Sequence, residues 1–208
     1  MQNRIVGSDL SELKSIGSNN IIINCKFIGS NIQIGNNCTI KNTTIADGTE
    51  ITDSYIENSL IGKDCVIGPF ARIRPNSNIG NGCRVGNFVE IKNSQLGENT
   101  KVAHLSYIGD AFIGKNTNIG CGVVFANYNG ISKKFSVVGE NCFIGSNVNI
   151  VAPVNVADNS YICAGTTLTK DTSVGDFIIG RVKEEKKEKY SFYLKKLKEI
   201  SSNNNAKI

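Results

Sequence analysis

The sequence is poor in several residue types that metal sites and membrane segments require. Its 208 residues include no tryptophan, one methionine, three prolines and a single histidine. A zinc site of the carbonic anhydrase type needs three histidine ligands, so that function is excluded. No two of the seven cysteines have the CxxC spacing of zinc and dithiol motifs. Because no signal peptide or long apolar run is recognised either, we expect a cytoplasmic, reduced protein.

The net charge of +5 comes from the C-terminal end of the chain. Residues 1–180 contain 14 basic and 14 acidic residues, whereas residues 181–208 contain nine basic and four acidic ones. Since the charges of the larger part cancel, the sequence argues against a nucleic-acid groove along it.

An aliphatic residue recurs every six positions through most of the chain. Neither a helix, which has a period of 3.6 residues, nor an alternating strand gives this spacing. A six-residue repeat is typical of a parallel β-helix, in which three hexads close one triangular coil. We therefore predict an all-β parallel β-helix of hexapeptide repeats. The residues in strict step are Ile61, Ile67, Ile73, Ile79, Val85 and Ile91, and then Val138, Ile144, Ile150, Val156, Ile162, Leu168 and Val174.

Small or branched residues occupy a second position of the hexad, four residues after the aliphatic one. They fit an interior too narrow for a second large side chain. Four cysteines stand at this position, where cysteine acts as a compact apolar residue. We predict that these four are buried free thiols, with metal binding as the alternative: Cys38, Cys65, Cys83 and Cys142.

The sequence divides into three predicted parts. These are an N-terminal cap (residues 1–20), the β-helix (residues 21–182) and a helical tail (residues 183–208). In the cap, Asp9 and Glu12 have the spacing of a helix N-terminus, which predicts a short helix ending near residue 15.

Apolar residues of the tail recur at helical spacing between Tyr190 and Ile200. This pattern predicts an amphipathic helix that packs on the coils. The alternative is that its cationic side chains contribute to the binding of a phosphorylated ligand.

The six-residue register is interrupted after Phe125 and resumes only at Val138. The intervening segment, YNGISKKFS, is therefore predicted to leave a corner of the β-helix as a loop. Ligand sites concentrate on loops that a rigid frame supports.

Two cations are predicted to stack close to this loop. Arg74 and Lys92 each follow the aliphatic residue of their hexad, so they should lie on adjacent coils, about 5 Å apart. Stacked like charges are unfavourable unless an anion lies between them, and phosphate suits both side chains. The alternative is that both cations point into solvent. Arg72 and Glu90 share a neighbouring row, which predicts a simple ion pair between them.

The single histidine, His104, stands at an outward position between Asn87 and Cys121 of the adjacent coils. A lone histidine is commonly a surface residue. One coil above a candidate phosphate site, however, its imidazole is suited to taking a proton from an amine at neutral pH.

Seven segments closely resemble the acetyltransferase half of the bifunctional glucosamine-1-phosphate acetyltransferase and N-acetylglucosamine-1-phosphate uridylyltransferase. They are GPFARIRP, GNFVEIKNS, AHLSYIGDAFIG, NIGCG, NYNG, FIGSNVNIVAPV and AGTTLTKD, within about residues 60–182. The resemblance implies a left-handed coil, acetyl-CoA as co-substrate without a metal, and a homotrimer with active sites between subunits.

The resemblance also implies roles for individual residues. His104 corresponds to the family's general base. The residues corresponding to sugar-phosphate ligands are Arg74, Lys92, Tyr107, Asn118 and, reaching across the trimer, Lys133. Those corresponding to the acetyl-CoA side are Cys121, Asn127, Tyr128, Ser146, Ala164 and Arg181.

The sequence departs from the family pattern at several places, and two of these departures bear on the function. Asn129 stands where the family has aspartate, which removes a negative charge beside the site. No glycine-rich nucleotide loop is recognised near the N-terminus, so uridylyl transfer is not expected. The expected function is acetyl transfer to glucosamine 1-phosphate for cell-wall precursor synthesis. The alternatives are another amino-sugar phosphate, a nucleotide-linked amino sugar, or a β-helix that binds sugar nucleotides or partner proteins without turnover.

Overall fold

The computed structural model describes residues 2–186 and 189–205, with side chains described as far as residue 200. Short strands stack into three parallel sheets, of which sheets 1 and 2 have ten strands each and sheet 3 has eight. From β3 to β27, successive strands of the chain pass from sheet 1 to sheet 3, then to sheet 2 and back to sheet 1. This order is that of a parallel β-helix, as the six-residue period predicts.

The strand bounds follow the hexads closely. Sheet 1 contains β1 (Arg4–Val6), β3 (Ile21–Ile23), β6 (Thr39–Lys41), β9 (Tyr55–Glu57), β12 (Arg72–Ile73), β15 (Glu90–Lys92), β18 (Tyr107–Gly109), β21 (Val124–Ala126), β24 (Asn149–Val151) and β27 (Thr167–Leu168). Sheet 2 contains β2 (Leu13–Ile16), β5 (Ile32–Ile34), β8 (Glu50–Ile51), β11 (Val66–Ile67), β14 (Arg84–Asn87), β17 (Lys101–His104), β20 (Asn118–Ile119), β23 (Phe143–Ile144), β26 (Tyr161–Ile162) and β28 (Phe177–Ile178). Sheet 3 contains β4 (Lys26–Ile28), β7 (Thr44–Ala46), β10 (Ser59–Ile61), β13 (Ser77–Ile79), β16 (Gln95–Leu96), β19 (Ala111–Ile113), β22 (Ser136–Val138) and β25 (Asn155–Val156).

The predicted aliphatic row forms the core. Its members from Ile61 to Ile91 and from Val138 to Leu168 are all buried. Val174, the last residue of the row, is 70% exposed, so the prediction is wrong there and the buried row ends at Leu168. The row extends towards the N-terminus beyond the predicted register, because Ile22, Ile40 and further isoleucines are also fully buried.

The four cysteines of the small interior position are buried free thiols, as predicted. Burial raises the pKa of each thiol, in the case of Cys83 to about 12. The Cys83 thiol donates a hydrogen bond to the Gly97 carbonyl at 3.1 Å. Among the described residues no group of cysteine, histidine and acidic side chains could hold a metal ion.

Each corner of the triangle carries a column of residues in the left-handed conformation, and asparagine is the commonest residue of the three columns together. Asparagine tolerates this conformation, and its amide can bond to the next rung. Asn37 Nδ2, for example, donates to Asp53 Oδ1 at 2.8 Å. We call the column between sheets 2 and 1 the 2–1 ladder, with Asn19, Asn37, Asp53, Phe70, Phe88 and Leu105. The column between sheets 1 and 3 is the 1–3 ladder, with Asn24, Asn42, Asn58, Asn76, Asn93 and Asp110.

The N-terminal helix prediction is wrong. Residues 4–6 and 13–16 form strands β1 and β2, which pair with β3 and β5. Asp9 Oδ1 accepts a hydrogen bond from the Ser11 amide in a turn between them. Leu10 and Leu13 pack against the core, and this packing outweighs the local capping signal.

The tail contains the predicted helix, α1 (Tyr190–Asn205). All of its described side chains, residues 190–200, are exposed, so the prediction that it packs on the coils of the same chain is wrong. No helix in the described ranges is both long and apolar enough to cross a bilayer. The division of the chain at residues 20 and 182 stays a prediction.

Candidate active site

The two predicted cations do lie on adjacent coils. Arg72 and Ile73 pair with Glu90 and Ile91, and the Arg74 amide donates to the Ile91 carbonyl at 2.8 Å. The cations are not unpaired, however. Arg74 Nη1 lies 2.8 Å from Glu90 Oε1, and Lys92 Nζ lies 3.4 Å from Asp110 Oδ1. Each cation therefore has a carboxylate partner instead of pointing freely into solvent, and the binding of a phosphate between the two stays a prediction.

The predicted ion pair between Arg72 and Glu90 is wrong. Although the two residues are paired in register, the carboxylate of Glu90 bonds to Arg74. The guanidinium of Arg72 instead lies over the ring of Tyr55, 5.8 Å from its centroid. Such a cation–π contact contributes about 0.5–1 kcal/mol at an exposed site.

Asp110 is the buried centre of this region. Its Oδ1 accepts a hydrogen bond from Asn93 Nδ2 at 2.6 Å, and its Oδ2 accepts one from Asn127 Nδ2. Burial alone would raise the pKa of Asp110, but the Asn93 amide, the charge of Lys92 and the Asn127 amide together hold it below its ordinary value. Asp110 is therefore a carboxylate at neutral pH.

The predicted loop leaves the corner between β21 and β22. Tyr128 and Lys133 form an antiparallel bridge across it. Asn129 Oδ1 accepts hydrogen bonds from the amides of Ile131 and Ser132, at 3.0 and 2.8 Å, and so closes the turn. The departure at Asn129 thus leaves the loop a hydrogen-bond acceptor of the kind that aspartate also provides.

Lys133 brings a third cation to the corner from the same chain. The neighbouring Lys92 ammonium lowers the pKa of Lys133, whereas the negative charge of Asp110 acts in the opposite direction. The Lys133 side chain lies against Lys92, and because two ammonium groups repel each other, it is the carboxylate of Asp110 that favours the charged form of Lys92 and raises its pKa. Arg74 also acts on Lys133 through its charge. We refer to Arg74, Lys92, Lys133, Glu90 and Asp110 as the charged corner.

Tyr107 and Asn127 lie beside the charged corner. A Cβ at Gly109 would overlap both the Tyr107 hydroxyl and the Asn127 amide, so the glycine leaves the space in which these two side chains lie against residue 109. Asn127 is buried, and its amide bonds to Asp110. Its side-chain amide nitrogen is thus bonded within the chain, and its part in acetyl-CoA binding stays a prediction.

His104 ends β17 and is exposed at the opposite edge of sheet 1. Its Nδ1 lies 3.0 Å from Asn87 Oδ1 in the paired strand β14. Because an amide oxygen only accepts, Nδ1 is assigned the proton, and Nε2 then has a free lone pair. This is the tautomer that a general base requires.

Cys121, Ser146 and Ala164 continue the column that His104 begins. The register of β17, β20, β23 and β26 brings these positions to successive coils, at steps of roughly 4.8 Å. At its far end, Arg181 Nη1 donates to the Ala164 carbonyl at 2.7 Å. Three of the residues expected on the acetyl-CoA side therefore lie in one line with the histidine, and a fourth, Arg181, bonds to the end of that line.

The remaining candidates lie elsewhere. Asn118 is on the face of sheet 2, paired with Lys101 and Phe143, whereas Tyr128 lies in the loop, and its hydroxyl donates to the Gly130 carbonyl at 2.7 Å. The charged corner and the histidine column are separated by the width of β18. Within one chain the candidates thus form two groups.

Two residues that matter for the geometry are absent from the candidates chosen from the sequence. Asp110 closes the 1–3 ladder with a carboxylate where every earlier rung is an asparagine, and this exchange was the available signal. Asn87 orients His104, and the signal was its position one coil below the histidine.

The family of bacterial transferases with hexapeptide repeats (six repeats) matches residues 58–93 and 135–170. The chain is a hexapeptide-repeat protein. Arg74 and Lys92 lie in the first matched segment and Ser146 and Ala164 in the second, with His104 and the loop between them.

The resemblance found from the motifs is confirmed by relatives of this hexapeptide-repeat protein. It is 48% identical over 158 residues to the bifunctional protein GlmU of Marinobacter nauticus, covering 76% of this chain and 35% of the relative. It is 50% identical over 161 residues to the same-named protein of Clostridioides difficile, covering 77% and 35%. The chain thus spans about a third of the length of these curated relatives.

Among solved structures, a perosamine N-acetyltransferase mutant from Caulobacter crescentus is 19% identical with a TM-score of 0.47, covering 58% of this chain and 57% of that one.

Proposed function

We propose that this protein transfers the acetyl group of acetyl-CoA to the amine of glucosamine 1-phosphate. The product, N-acetylglucosamine 1-phosphate, would serve cell-wall precursor synthesis, and the proposed site of action is the cytoplasm. The named relatives support an amino-sugar acetyltransferase in general. The observation that carries the proposal is the His104 imidazole, oriented by Asn87 with Nε2 open, in a column that also contains Cys121, Ser146 and Ala164.

The proposed reaction is direct. His104 Nε2 takes a proton from the amine while the amine nitrogen attacks the carbonyl carbon of the thioester. The tetrahedral intermediate then expels the thiolate of CoA, which takes the proton from His104. A positioned base of this kind contributes about 10²- to 10⁴-fold to the rate. No covalent intermediate on the protein is needed.

The charged corner is proposed to bind the phosphate of the sugar. Arg74, Lys92 and Lys133 supply three positive charges against the two negative charges of Glu90 and Asp110. The surplus of cations favours an anionic ligand, and Arg74 can bind phosphate with two parallel hydrogen bonds.

A homotrimer is proposed to complete the site. The histidine column and the charged corner lie at opposite edges of sheet 1, so a second subunit is needed to bring one group against the other. Asn118 on sheet 2 would join the site in the same way. Light scattering should give the mass of a trimer at micromolar concentration, and a monomer would contradict shared sites.

The decisive experiment is turnover. Purified protein is incubated with acetyl-CoA and a panel of acceptors: glucosamine 1-phosphate, glucosamine 6-phosphate, glucosamine and a nucleotide-linked glucosamine. Products are measured by mass spectrometry, because the seven cysteines would disturb a thiol assay. Glucosamine 1-phosphate should be the best acceptor. Preference for another acceptor would change the substrate, and binding without any turnover would favour a non-catalytic module.

A further inference from the structure

Asp110 belongs both to the 1–3 ladder and to the charged corner. The 1–3 ladder presents an asparagine amide on five successive coils, and its next rung is a carboxylate with the same left-handed backbone, φ 52°. Asn93 Nδ2 still donates to it, as Asn42 Nδ2 donates to Asn58 at 3.1 Å lower in the ladder. An asparagine at 110 could therefore keep the ladder contact, so the ladder alone does not explain the charge.

The contacts of Asp110 reach three segments that the candidate site uses. Its backbone amide donates to the Lys92 carbonyl at 3.0 Å, and its carbonyl accepts from the Ser136 amide at 3.1 Å. Its carboxylate accepts from Asn127 and lies 3.4 Å from the Lys92 ammonium with either oxygen. Asp110 thus joins Lys92 to Asn127 and Ser136, one at each end of the loop. It is itself only 7% exposed, so a ligand does not reach it easily.

The negative charge of Asp110 lies close to the two lysines Lys92 and Lys133. Lys92 faces Lys133 from the loop, Tyr107 from β18 and Asp110 itself, and Lys133 also faces Arg74. Glu90 is bonded to Arg74 at 2.8 Å, which leaves Asp110 as the carboxylate that contacts Lys92 in the described part of the chain. Without it, two neighbouring ammonium groups would repel each other with less compensation.

We propose that Asp110 is a positioning residue, which holds the Lys92 ammonium towards the ligand and lets Lys92 and Lys133 act together as cations for a phosphorylated sugar. Asp110 acts through Lys92 and does not contact the substrate. The identity of the ligand rests on the function proposed above, whereas the effect of Asp110 on Lys92 does not.

The test is a double-mutant cycle of Asp110→Asn and Lys92→Met. Asp110→Asn should raise KM for glucosamine 1-phosphate about tenfold, the usual worth of a contact to a charged group, and leave kcat within about twofold. In the Lys92→Met background, Asp110→Asn should raise KM little further, because the ammonium through which Asp110 acts is already removed. Additive effects, or an unchanged KM in Asp110→Asn, would overturn the proposal.

Asp53→Asn is the matched control. Asp53 is also an aspartate rung with a left-handed backbone, and its Oδ1 accepts from Asn37 at 2.8 Å, but it lies in the 2–1 ladder of the early coils. This variant should leave KM and its pH dependence unchanged. An equal rise of KM in Asp53→Asn would show a general structural effect and overturn the specific role.

A measurement without turnover separates this proposal from the proposed function. Protein labelled with [6-¹³C]lysine is titrated by NMR, and the Lys92 signal is assigned from its loss in Lys92→Met. Asp110→Asn should lower the pKa of Lys92, because an attractive charge is removed while Lys133 remains. If no acceptor is acetylated but this shift occurs, the proposed function fails and the role of Asp110 stands. If turnover is found and the Lys92 pKa does not change, the role of Asp110 fails alone.

Discussion

The 2–1 ladder differs between the early coils and the coils that carry His104. Asn19 Nδ2 donates to Asn37 Oδ1 at 2.8 Å, and Asn37 bonds to Asp53 at the same distance. The next rungs are Phe70, Phe88 and Leu105, all with positive φ and each more than half exposed. The two phenylalanine rings stack with centroids 5.4 Å apart. One backbone corner therefore carries a hydrogen-bonded polar column in one region and an exposed apolar strip in the other.

This difference separates what the coil needs from what the site presents. A left-handed backbone costs about 1–3 kcal/mol for a residue other than glycine, and bulky side chains adopt it less readily than asparagine. The early coils limit that cost with asparagine. In the coils beside Asn87 and His104, large apolar residues adopt this backbone in spite of its cost. The corner residues of these coils are therefore not those best suited to the fold alone.

The largest difference between the early coils and the coils that carry His104 should appear in kcat. His104→Ala should lower kcat by about 10²- to 10⁴-fold with little change in KM, because the base acts in the transition state. Gln33→Ala removes a half-buried polar side chain of an early coil, whose amide bonds to Glu50 at 2.7 Å, and should leave kcat unchanged. Steady-state kinetics with glucosamine 1-phosphate measure both. Near-normal turnover by His104→Ala would remove the mechanism.

Lys92 and Lys41 lie in one column of sheet 1, and their substitutions should differ in their effect on KM for the phosphorylated sugar. Lys92→Met and Arg74→Met should raise KM for the phosphorylated sugar by roughly 10- to 100-fold, since each removes a charged contact present in the ground state. Lys41, whose Nζ lies 3.2 Å from the Tyr55 hydroxyl, ends the equivalent strand of an early coil. Lys41→Met should not alter KM. Unphosphorylated glucosamine should be a poor acceptor whose kinetics none of the three changes affects, and equal loss for both acceptors would contradict phosphate binding.

Stability should distinguish the two cations of the charged corner. The stacking of like charges alone predicts that loss of Arg74 and Lys92 leaves the protein no less stable, but the carboxylate partner of Lys92 reverses this prediction for Lys92. Lys92→Met leaves the buried Asp110 without its ammonium and should lower the free energy of unfolding by about 1–3 kcal/mol. Arg74→Met, whose ion pair is 35% exposed on both sides, should cost less than about 1 kcal/mol.

The pH dependence of that loss follows from the depressed pKa of Asp110. A carboxylate with a folded pKa below its ordinary value of 3.8 stabilises the protein above about pH 4, and the contribution disappears as pH falls through the folded value. Urea unfolding at pH 7 should therefore separate wild type from Lys92→Met, and the difference should shrink below pH 4. A difference that is constant with pH would contradict the pairing with Asp110.

The smallest effects should come from exchanging rungs of the 2–1 ladder. Phe88→Asn should change the free energy of unfolding by less than about 1 kcal/mol, because asparagine relieves the backbone cost while a ring that is 57% exposed loses little burial. The reverse exchange, Asn37→Phe, breaks two ladder hydrogen bonds and should cost about 1–2 kcal/mol. Thermal unfolding measures both. A large loss in Phe88→Asn would show that the apolar strip holds the coils together.

Much of the site's arrangement could be predicted from register alone. The adjacency of Arg74 and Lys92, and that of Asn87, His104 and Cys121, follows from counting residues per coil, because parallel strands without bulges keep that count. The partners of the cations could not be predicted this way. Glu90 pairs with Arg74 and not with Arg72, its neighbour in register. Asp110 contacts Lys92 from a corner of the β-helix, where the direction of the side chain depends on the left-handed backbone.

The sequence by itself determined the coil: a six-residue aliphatic period can be buried only by stacking, so the β-helix, its buried cysteines and its loop after Phe125 follow from the chain. Only the tertiary structure decided where that pattern ends and how charges pair. Residues 4–16 join the sheets as strands because an open coil end offers unpaired backbone groups and an apolar surface, which outweigh a local capping signal. Asp110 and Lys92 meet because a corner and a strand end, 18 residues apart, are brought together by the closure of one coil.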